Sequence, residues 1–409
     1  MKNEKVLIVG GGTAGLTAAL ELANSDIRID VVDRSDFLGG HAVRLSCKAV
    51  SGCVKCGACI VEEKLDQARR HPRIRLMPGT QIRSISRNRR FNAELRHKPV
   101  FIDPVKCNAC GVCMDTCPVE GGVFRGSSKH HVPFYAISEK ACIYLKDRSC
   151  RKCEKACPQK AICLDLAETM EPVEADAVIL AYGFSPFCPE NKPYGYGIFK
   201  NVITSLELET MVRGKGRVTL PLDGREPGSI AFIQCVGSRD AKLHHLWCSK
   251  YCCGFALRMA DLIKTRQPLS EITLFYIDIQ TFGNDFRSYY DRMCEKIRMI
   301  RIIPGDIYPS QGDQLKVTYF DNAIAETVQE EFDLVVLSVG MEPCRDVRGI
   351  TGLLDKDPPA GRFIGAGSVM TNPGRGIFVA GTAGGPMTIA ETVTDAAKSA
   401  KEVMDYFAR

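Results

Sequence analysis

Residues 6–15 read VLIVGGGTAG, and this stretch decides the architecture. Val6–Val9 is a short apolar run of the kind a buried strand makes. Gly10, Gly12 and Gly15 follow as G-x-G-x-x-G, and the residues from Thr13 to Ala23 carry Ala14, Leu16, Ala18, Ala19 and Leu22 at helical spacing. Ile29–Asp33 reads as a second strand. Strand, glycine turn, helix and strand make one βαβ unit of a doubly wound α/β sheet. The first glycine turns the chain, the second lets the backbone approach a pyrophosphate, and the third lets helix and strand pack closely. Thr13 and Ala14 open the helix whose N-terminus faces the phosphates. Asp33 ends the second strand, where a carboxylate can accept hydrogen bonds from a ribose.

Two later stretches extend this unit. Residues 175–183 read ADAVILAYG, and residues 376–385 read GIFVAGTAGG. The first resembles the strand and turn that recur in two-dinucleotide-binding flavoproteins. The second resembles the segment that closes over the ribityl and phosphate groups of the flavin there. The resemblance implies FAD rather than NAD at the N-terminal turn, with Gly183, Gly381, Met387, Thr388, Ile389 and Glu391 completing the site. Between these stretches lies a second α/β lobe, with strands expected at Ser229–Gln234, Ile272–Ile277 and Leu334–Val339. A lobe that binds a pyridine nucleotide would carry its own glycine-rich turn. FIQCVGSRD (232–240) offers one glycine, Gly237, so this lobe is expected to have lost such a site.

The cysteines carry the rest of the chemistry. Of twenty, sixteen fall into four groups of four, leaving Cys163, Cys188, Cys294 and Cys344 single. Cys107-x2-Cys110-x2-Cys113-x3-Cys117-Pro118 is the bacterial ferredoxin run, in which three cysteines hold one cubane and the fourth reaches the other. Cys150-x2-Cys153-x3-Cys157-Pro158 is its partner, led by Cys142. The crossover rule assigns Cys107, Cys110, Cys113 and Cys157 to one 4Fe-4S cluster, and Cys142, Cys150, Cys153 and Cys117 to the other. Cys47, Cys53, Cys56 and Cys59 follow the second strand of the nucleotide unit. Their spacing suits a third cubane near the flavin, with zinc or free thiols as the alternative. Cys235, Cys248, Cys252 and Cys253 read two ways. They could hold a fourth cluster, or Cys252 and Cys253 could form a redox-active vicinal disulfide. Several clusters beside a nucleotide site describe a flavoprotein that moves electrons.

Composition narrows the setting. The chain has 409 residues, 45% hydrophobic and 25% charged, enough for two or three domains of a globular protein. No stretch near residue 1 reads as a signal peptide, so a cytoplasmic setting is expected, where clustered cysteines bind metal more often than they pair. No apolar run has the length of a membrane span. The net charge of +6 is mild. Arg87, Arg89 and Arg90 lie in a solvated loop without interleaved aromatics, which argues against nucleic-acid binding. His130 and His131 read as surface residues, and His244 and His245 as solvated loop, with a hydrogen bond from one of the latter to the cluster or a partner as the alternative. Trp247 is expected to pack as a lid beside Cys248, and Cys163 in AICLDL to be a buried thiol. The domains read as 1–102 for the first part of the FAD-binding domain and 103–166 for an inserted two-cluster ferredoxin unit. FAD-binding sequence continues over 167–227. A degenerate second nucleotide lobe occupies 228–341, and 342–409 returns to the FAD-binding domain. No internal repeat or low-complexity tract is present.

Taken in order, GGHAVRLSCK (39–48), CVKCGAC (53–59), the ferredoxin insertion, YGYGIFKNVITSLELE (194–209), FIQCVGSRD, WCSKYCCGFALR (247–258), FYIDIQTFG (275–283) and FVAGTAGGPMTIAET (378–392) resemble the flavin-bearing A-type component of heterodisulfide reductases. The resemblance covers nearly the whole chain. It implies a two-dinucleotide-binding, thioredoxin-reductase-like fold with an inserted α+β ferredoxin-type domain. It also implies a cubane at Cys235, Cys248, Cys252 and Cys253. The implied role is that of an FAD and iron–sulfur electron-transfer component of a multimeric anaerobic complex, with B- and C-type and small electron-input subunits. Larger members carry further domains at both ends, and this chain is expected to lack them. Members that bifurcate electrons tend to read GPKDIPET where this chain has Met387 in place of the lysine, which puts bifurcation in doubt. Met387 also reads simply as packing under the flavin ring. Short relatives also serve a quinone-interacting membrane-associated oxidoreductase and a class II benzoyl-coenzyme A reductase complex, so a peripheral membrane complex stays open. Two rival readings are a stand-alone pyridine-nucleotide disulfide oxidoreductase using Cys252 and Cys253, and a structural zinc scaffold.

Overall fold

The computed structural model describes residues 4–103, 106–127, 133–280, 286–322, 324–344, 362–364 and 373–408. Val6, Leu7 and Ile8 are fully buried, as are Ala177 to Leu180. Continuous burial on both faces is what a central strand of a parallel sheet requires. These two strands, Lys5–Val9 and Ala177–Leu180, pair in parallel at the centre of a five-stranded sheet ordered Ile377–Val379, Ala177–Leu180, Lys5–Val9, Arg28–Val32, Ile74–Met77. The helices Thr13–Ala23 and Ile389–Phe407 cover one face, where Leu16, Ala19 and Leu22 meet Ala396, Ala400 and Val403 in one core.

A second parallel sheet is ordered Val202–Thr204, Leu334–Val339, Ser229–Val236, Glu271–Phe275, Arg298–Ile300. It packs against the helices Ser205–Lys215, Cys252–Arg266 and Phe286–Lys296. The segment from 202 onward, expected to continue the first lobe to residue 227, therefore belongs to the second. Val202–Thr204 pairs with Leu334–Val339, and Leu208, Val212, Val218 and Leu220 join that core. The chain crosses between lobes twice, and the two crossings, Phe184–Pro186 and Met341–Pro343, pair as a short antiparallel ribbon.

The ferredoxin-like unit is inserted beyond a three-stranded antiparallel sheet of Thr80–Arg87, Phe91–His97 and Thr169–Ala175. It holds the hairpin Val123–Ser127 and Pro133–Ile137 and the short helices Val112–Asp115, Ile143–Asp147 and Lys152–Ala156. Its small core includes Ile102, Tyr144, Ile162 and Leu164, with Cys113 and Cys153 among the buried members. No helix among the described residues is long and apolar enough to cross a membrane.

Candidate functional site: a dinucleotide cavity ringed by cysteine groups

The N-terminal turn has the geometry its glycines foretell. Gly10 takes φ +113°, and a side chain there would strike the Ala181 carbonyl. A Cβ on Gly15 would lie 1.8 Å from the Gly10 carbonyl oxygen, so helix and strand touch backbone to backbone. A Cβ on Gly12 would meet nothing closer than 3.8 Å, which leaves that face open. Gly12 caps the Thr13–Ala23 helix with no side-chain hydrogen bond, and this helix start lines the cavity. Asp33 is already at work in the protein. Its carboxylate accepts from the Gly11 N–H at 2.7 Å and the Ser35 N–H at 2.8 Å, clamping the turn while it lines the cavity.

That cavity measures about 1600 Å³. Gly10, Gly12, Thr13, Ala14, Asp33, Gly183, Met387, Thr388 and Ile389 all line it, so the structure gathers one wall from three distant stretches of chain. Gly381 packs behind the wall, where its φ of +66° and its closeness to the Ala14 Cβ exclude a side chain. Glu391 closes a capping box with Thr388 at the start of the Ile389–Phe407 helix. The volume exceeds the usual size of a small-ligand pocket, which is roughly 300–1,000 Å³, and so has room for a dinucleotide. His41, Tyr182, Lys250 and Cys344 also line it, although no spacing pattern marks them. Burial pushes the Tyr182 hydroxyl well above the usual tyrosine range and lowers His41, whose Nε2 lies 3.1 Å from the Phe184 carbonyl oxygen.

Of the four cysteine groups, one contributes to the wall of this cavity and the others lie elsewhere in the fold. In the inserted unit, Cys107, Cys110, Cys113 and Cys157 line one small cavity with Tyr135, Pro158 and Ile162. This is the set the crossover rule names. Cys153 lies within electrostatic range of Cys142, Cys117 and Cys150, the complementary set. Burial pushes the Cys113 and Cys153 thiols up to about 11, so each is a poor free thiolate. Cys53, Cys56 and Cys59 line the large cavity itself, beside the nucleotide turn. Cys59 leads into the Ile60–Arg70 helix, and Cys47 stands half-buried behind them.

The loop before this third group is pinned to the second lobe. Lys48 and Glu209 form an ion pair with side chains 4% and 2% exposed. Glu209 also accepts from the Ser46 N–H at 2.9 Å and hydroxyl at 2.6 Å. Four residues along the same helix, Arg213 donates to the Val43 and Leu45 carbonyls and lies 3.6 Å from Glu62.

The fourth group lies at the strand-to-helix turn of the second lobe. Cys235 stands near the end of Ser229–Val236 in a left-handed conformation, φ +60°. Cys252 and Cys253 form the first turn of the Cys252–Arg266 helix, which has no side-chain cap. Adjacent residues in a helical turn point about 100° apart, and this lets both face one centre as a strand would not. All four of Cys235, Cys248, Cys252 and Cys253 lie within mutual electrostatic range. Burial pushes the Cys235 thiol up to about 12 and drives Cys252 and Cys253 upward as well. Gly237 is covered: a Cβ there would fall 2.1 Å from the Phe187 ring. Among the described residues, no three His, Cys, Asp or Glu side chains are placed to grip a single metal ion. A tetrahedral zinc site would need its sulfurs about 3.8 Å apart.

The remaining residues singled out in the sequence fall elsewhere. Cys163 is exposed, because the buried neighbours Ile162 and Leu164 turn it outward; the expectation of a buried thiol was wrong. His245 is tied into the loop rather than solvated, with Nδ1 2.9 Å from the Gly237 carbonyl oxygen and its ring stacked on Trp247 at 4.6 Å. Trp247 donates to the Met341 carbonyl at 2.9 Å and meets the Phe363 ring edge-on. His244 is exposed. His130 and His131 lie outside the described residues.

Comparison with known proteins places these features. A family model for an NAD(P)-binding Rossmann-like domain matches residues 8–54. The crystal structure of thioredoxin reductase from T. acidophilum superposes with a TM-score of 0.56 at 15% identity, covering all of both chains. That from Lactococcus lactis gives 0.53 at 14%, covering all of this chain and 99% of the other. In sequence, the chain is 33% identical to the iron-sulfur A-type component of the CoB–CoM heterodisulfide reductase of Methanocaldococcus jannaschii, over 98% of this chain and 64% of that one. It is 31% identical to the A-type component of the H(2):CoB-CoM heterodisulfide,ferredoxin reductase of Methanothermobacter marburgensis, over 97% and 63%. It is 33% identical to the A-type component of the ferredoxin:CoB-CoM heterodisulfide reductase of Methanosarcina mazei, over 98% and 53%. The chain thus spans between half and two thirds of the length of these relatives. In fold the chain is thioredoxin-reductase-like, and in sequence it is similar from end to end to part of the A-type components of heterodisulfide reductases.

Proposed function

We propose that this chain is an electron-transfer subunit of an anaerobic oxidoreductase complex of the heterodisulfide reductase type, carrying one FAD and four 4Fe-4S clusters. The observation that carries the reading is the convergence of a dinucleotide cradle and Cys53, Cys56 and Cys59 on one cavity. The uncapped Thr13–Ala23 helix would take the pyrophosphate, and the Gly12 face would admit it closely. When bound, FAD exchanges two electrons with one partner and single electrons with clusters. The chain's own residues hold and orient. Asp33 fixes the turn, the Thr388–Glu391 box fixes the far wall, and the Lys48–Glu209 pair fixes the loop that bears the third cysteine group.

For the first set, clusters are favoured over zinc by the cavity that Cys107, Cys110, Cys113 and Cys157 enclose, and by the ferredoxin-type spacing of its cysteines. Cys252 and Cys253 are buried, whereas a redox-active pair needs an accessible thiolate. The fold gives Cys252 and Cys253 no open approach, and Phe187 covers the only glycine of the second lobe's turn. Both observations count against a stand-alone disulfide oxidoreductase. B- and C-type subunits of such a complex are the partners this reading requires.

Iron, acid-labile sulfide and flavin content of anaerobically purified protein tests it. About sixteen iron per FAD is expected. About eight iron would restrict the clusters to the inserted unit. Zinc without labile sulfide would overturn the reading.

A further inference from the structure

Met387 leaves the turn 381–391 without a lysine of its own, yet the fold brings one to it. Lys250, from the loop between Cys248 and Cys252, donates from Nζ to Glu391 Oε1 at 2.8 Å. Glu391 is itself immobilised. Its Oε2 accepts from the Thr388 N–H at 2.8 Å, and its own N–H donates to the Thr388 hydroxyl at 3.2 Å. The ammonium is therefore held at the start of the Ile389–Phe407 helix, and Lys250, Met387, Thr388 and Ile389 all line the dinucleotide cavity. An ammonium has three donors, and Glu391 engages one of them.

The same residue reaches the second-lobe cysteines through its backbone. The Lys250 N–H donates to Cys248 Sγ at 3.2 Å. Lys250 takes φ +63°, a left-handed conformation unfavourable for a residue with a Cβ. Contacts on both sides hold it there.

We propose that Lys250 joins the dinucleotide cavity to the second-lobe cysteine group, its ammonium supplying a fixed cation to the cavity and its backbone N–H holding Cys248. This rests on the cavity holding FAD and on the cysteines holding a cluster. A fixed positive charge beside a bound flavin favours the form with more negative charge, and so favours reduction. The ion pair is about one-third to two-fifths exposed, so the effect is that of a partly screened charge.

The test is a redox titration of the anaerobic, cofactor-loaded chain, reading the flavin by absorbance and the clusters by electron paramagnetic resonance. In Lys250→Met, the reduced-to-oxidised flavin ratio at a fixed potential falls about threefold to fivefold, while the resonance of the cluster at Cys248 stays in place, because methionine keeps the backbone N–H that meets Cys248. Lys250→Arg restores the ratio. Adding Met387→Lys to Lys250→Met also restores it, because the charge returns. An unchanged flavin ratio in Lys250→Met at full iron and flavin content overturns the proposal. If Lys250→Met fails to fold, Glu391→Gln decides. It removes the neutralising partner, so the ratio must rise, and a fall or no change overturns the proposal. Wild-type protein without flavin would instead remove the reading of the cavity, leaving a different failure in view.

Discussion

Replacing Lys48 by methionine should loosen the loop 43–59 from the second lobe, and the structure sets the size of the effect. Lys48 and Glu209 are 4% and 2% exposed, so water cannot take over the role of either partner. Methionine matches the length of the lysine stem but leaves Glu209 charged, buried and bonded only to Ser46. Breaking a buried pair from one side costs about 3–5 kcal/mol. At about 1.4 kcal/mol per tenfold, local opening becomes roughly two to four decades more frequent. Anaerobic hydrogen exchange read by mass spectrometry should show that loss of protection in peptides covering 43–48 and 205–215. Peptides from the inserted unit should be unchanged. The double variant Lys48→Met with Glu209→Gln should recover much of the loss, because the stranded charge is gone. Unaltered protection in Lys48→Met would refute the argument, as would a double variant that opens more than the single one. Iron content offers a second reading of the same variant, since Cys53, Cys56 and Cys59 follow directly from this loop.

Other outcomes follow from single contacts. Gly15→Ala forces a Cβ to within 1.8 Å of the Gly10 carbonyl; about 1–3 kcal/mol of strain and loss of flavin absorbance are expected, and a fully yellow variant would contradict the cradle. Cys157→Ala and Cys117→Ala should each remove about four iron but abolish different paramagnetic signals, because the two cysteines lie with opposite sets. Loss of the same signal in both would show that the crossing is wrong. Adding NADH or NADPH anaerobically should leave the flavin spectrum unchanged, since Phe187 fills the space over Gly237; fast bleaching would bring the disulfide oxidoreductase reading forward.

Much of this was legible along the chain because local chemistry repeats at fixed spacing. The glycine turn needs Gly10, Gly12 and Gly15 for reasons that act within one turn of helix. The observed helix Thr13–Ala23 and strand Leu334–Val339 coincide with their sequence expectations. The ferredoxin-type cysteine spacing is equally local, since a short loop would wrap each cubane. The expectation for Cys163 failed because one residue of register in an extended segment decides inside from outside. The first lobe's supposed reach to 227 failed because a parallel strand finds its partner through the sheet, here more than a hundred residues away.

The sequence by itself determined the βαβ unit, the cysteine-dense insertion and the grouping of sixteen cysteines into fours, all of which depend on neighbours in the chain. Only the tertiary structure decided what faces the cavity. Lys250 meets Glu391 across 141 positions, and Lys48 meets Glu209 across 161. No periodicity encodes such pairs. They exist because two separately packed lobes bring their loops together, and a charge acts through space and not along the chain.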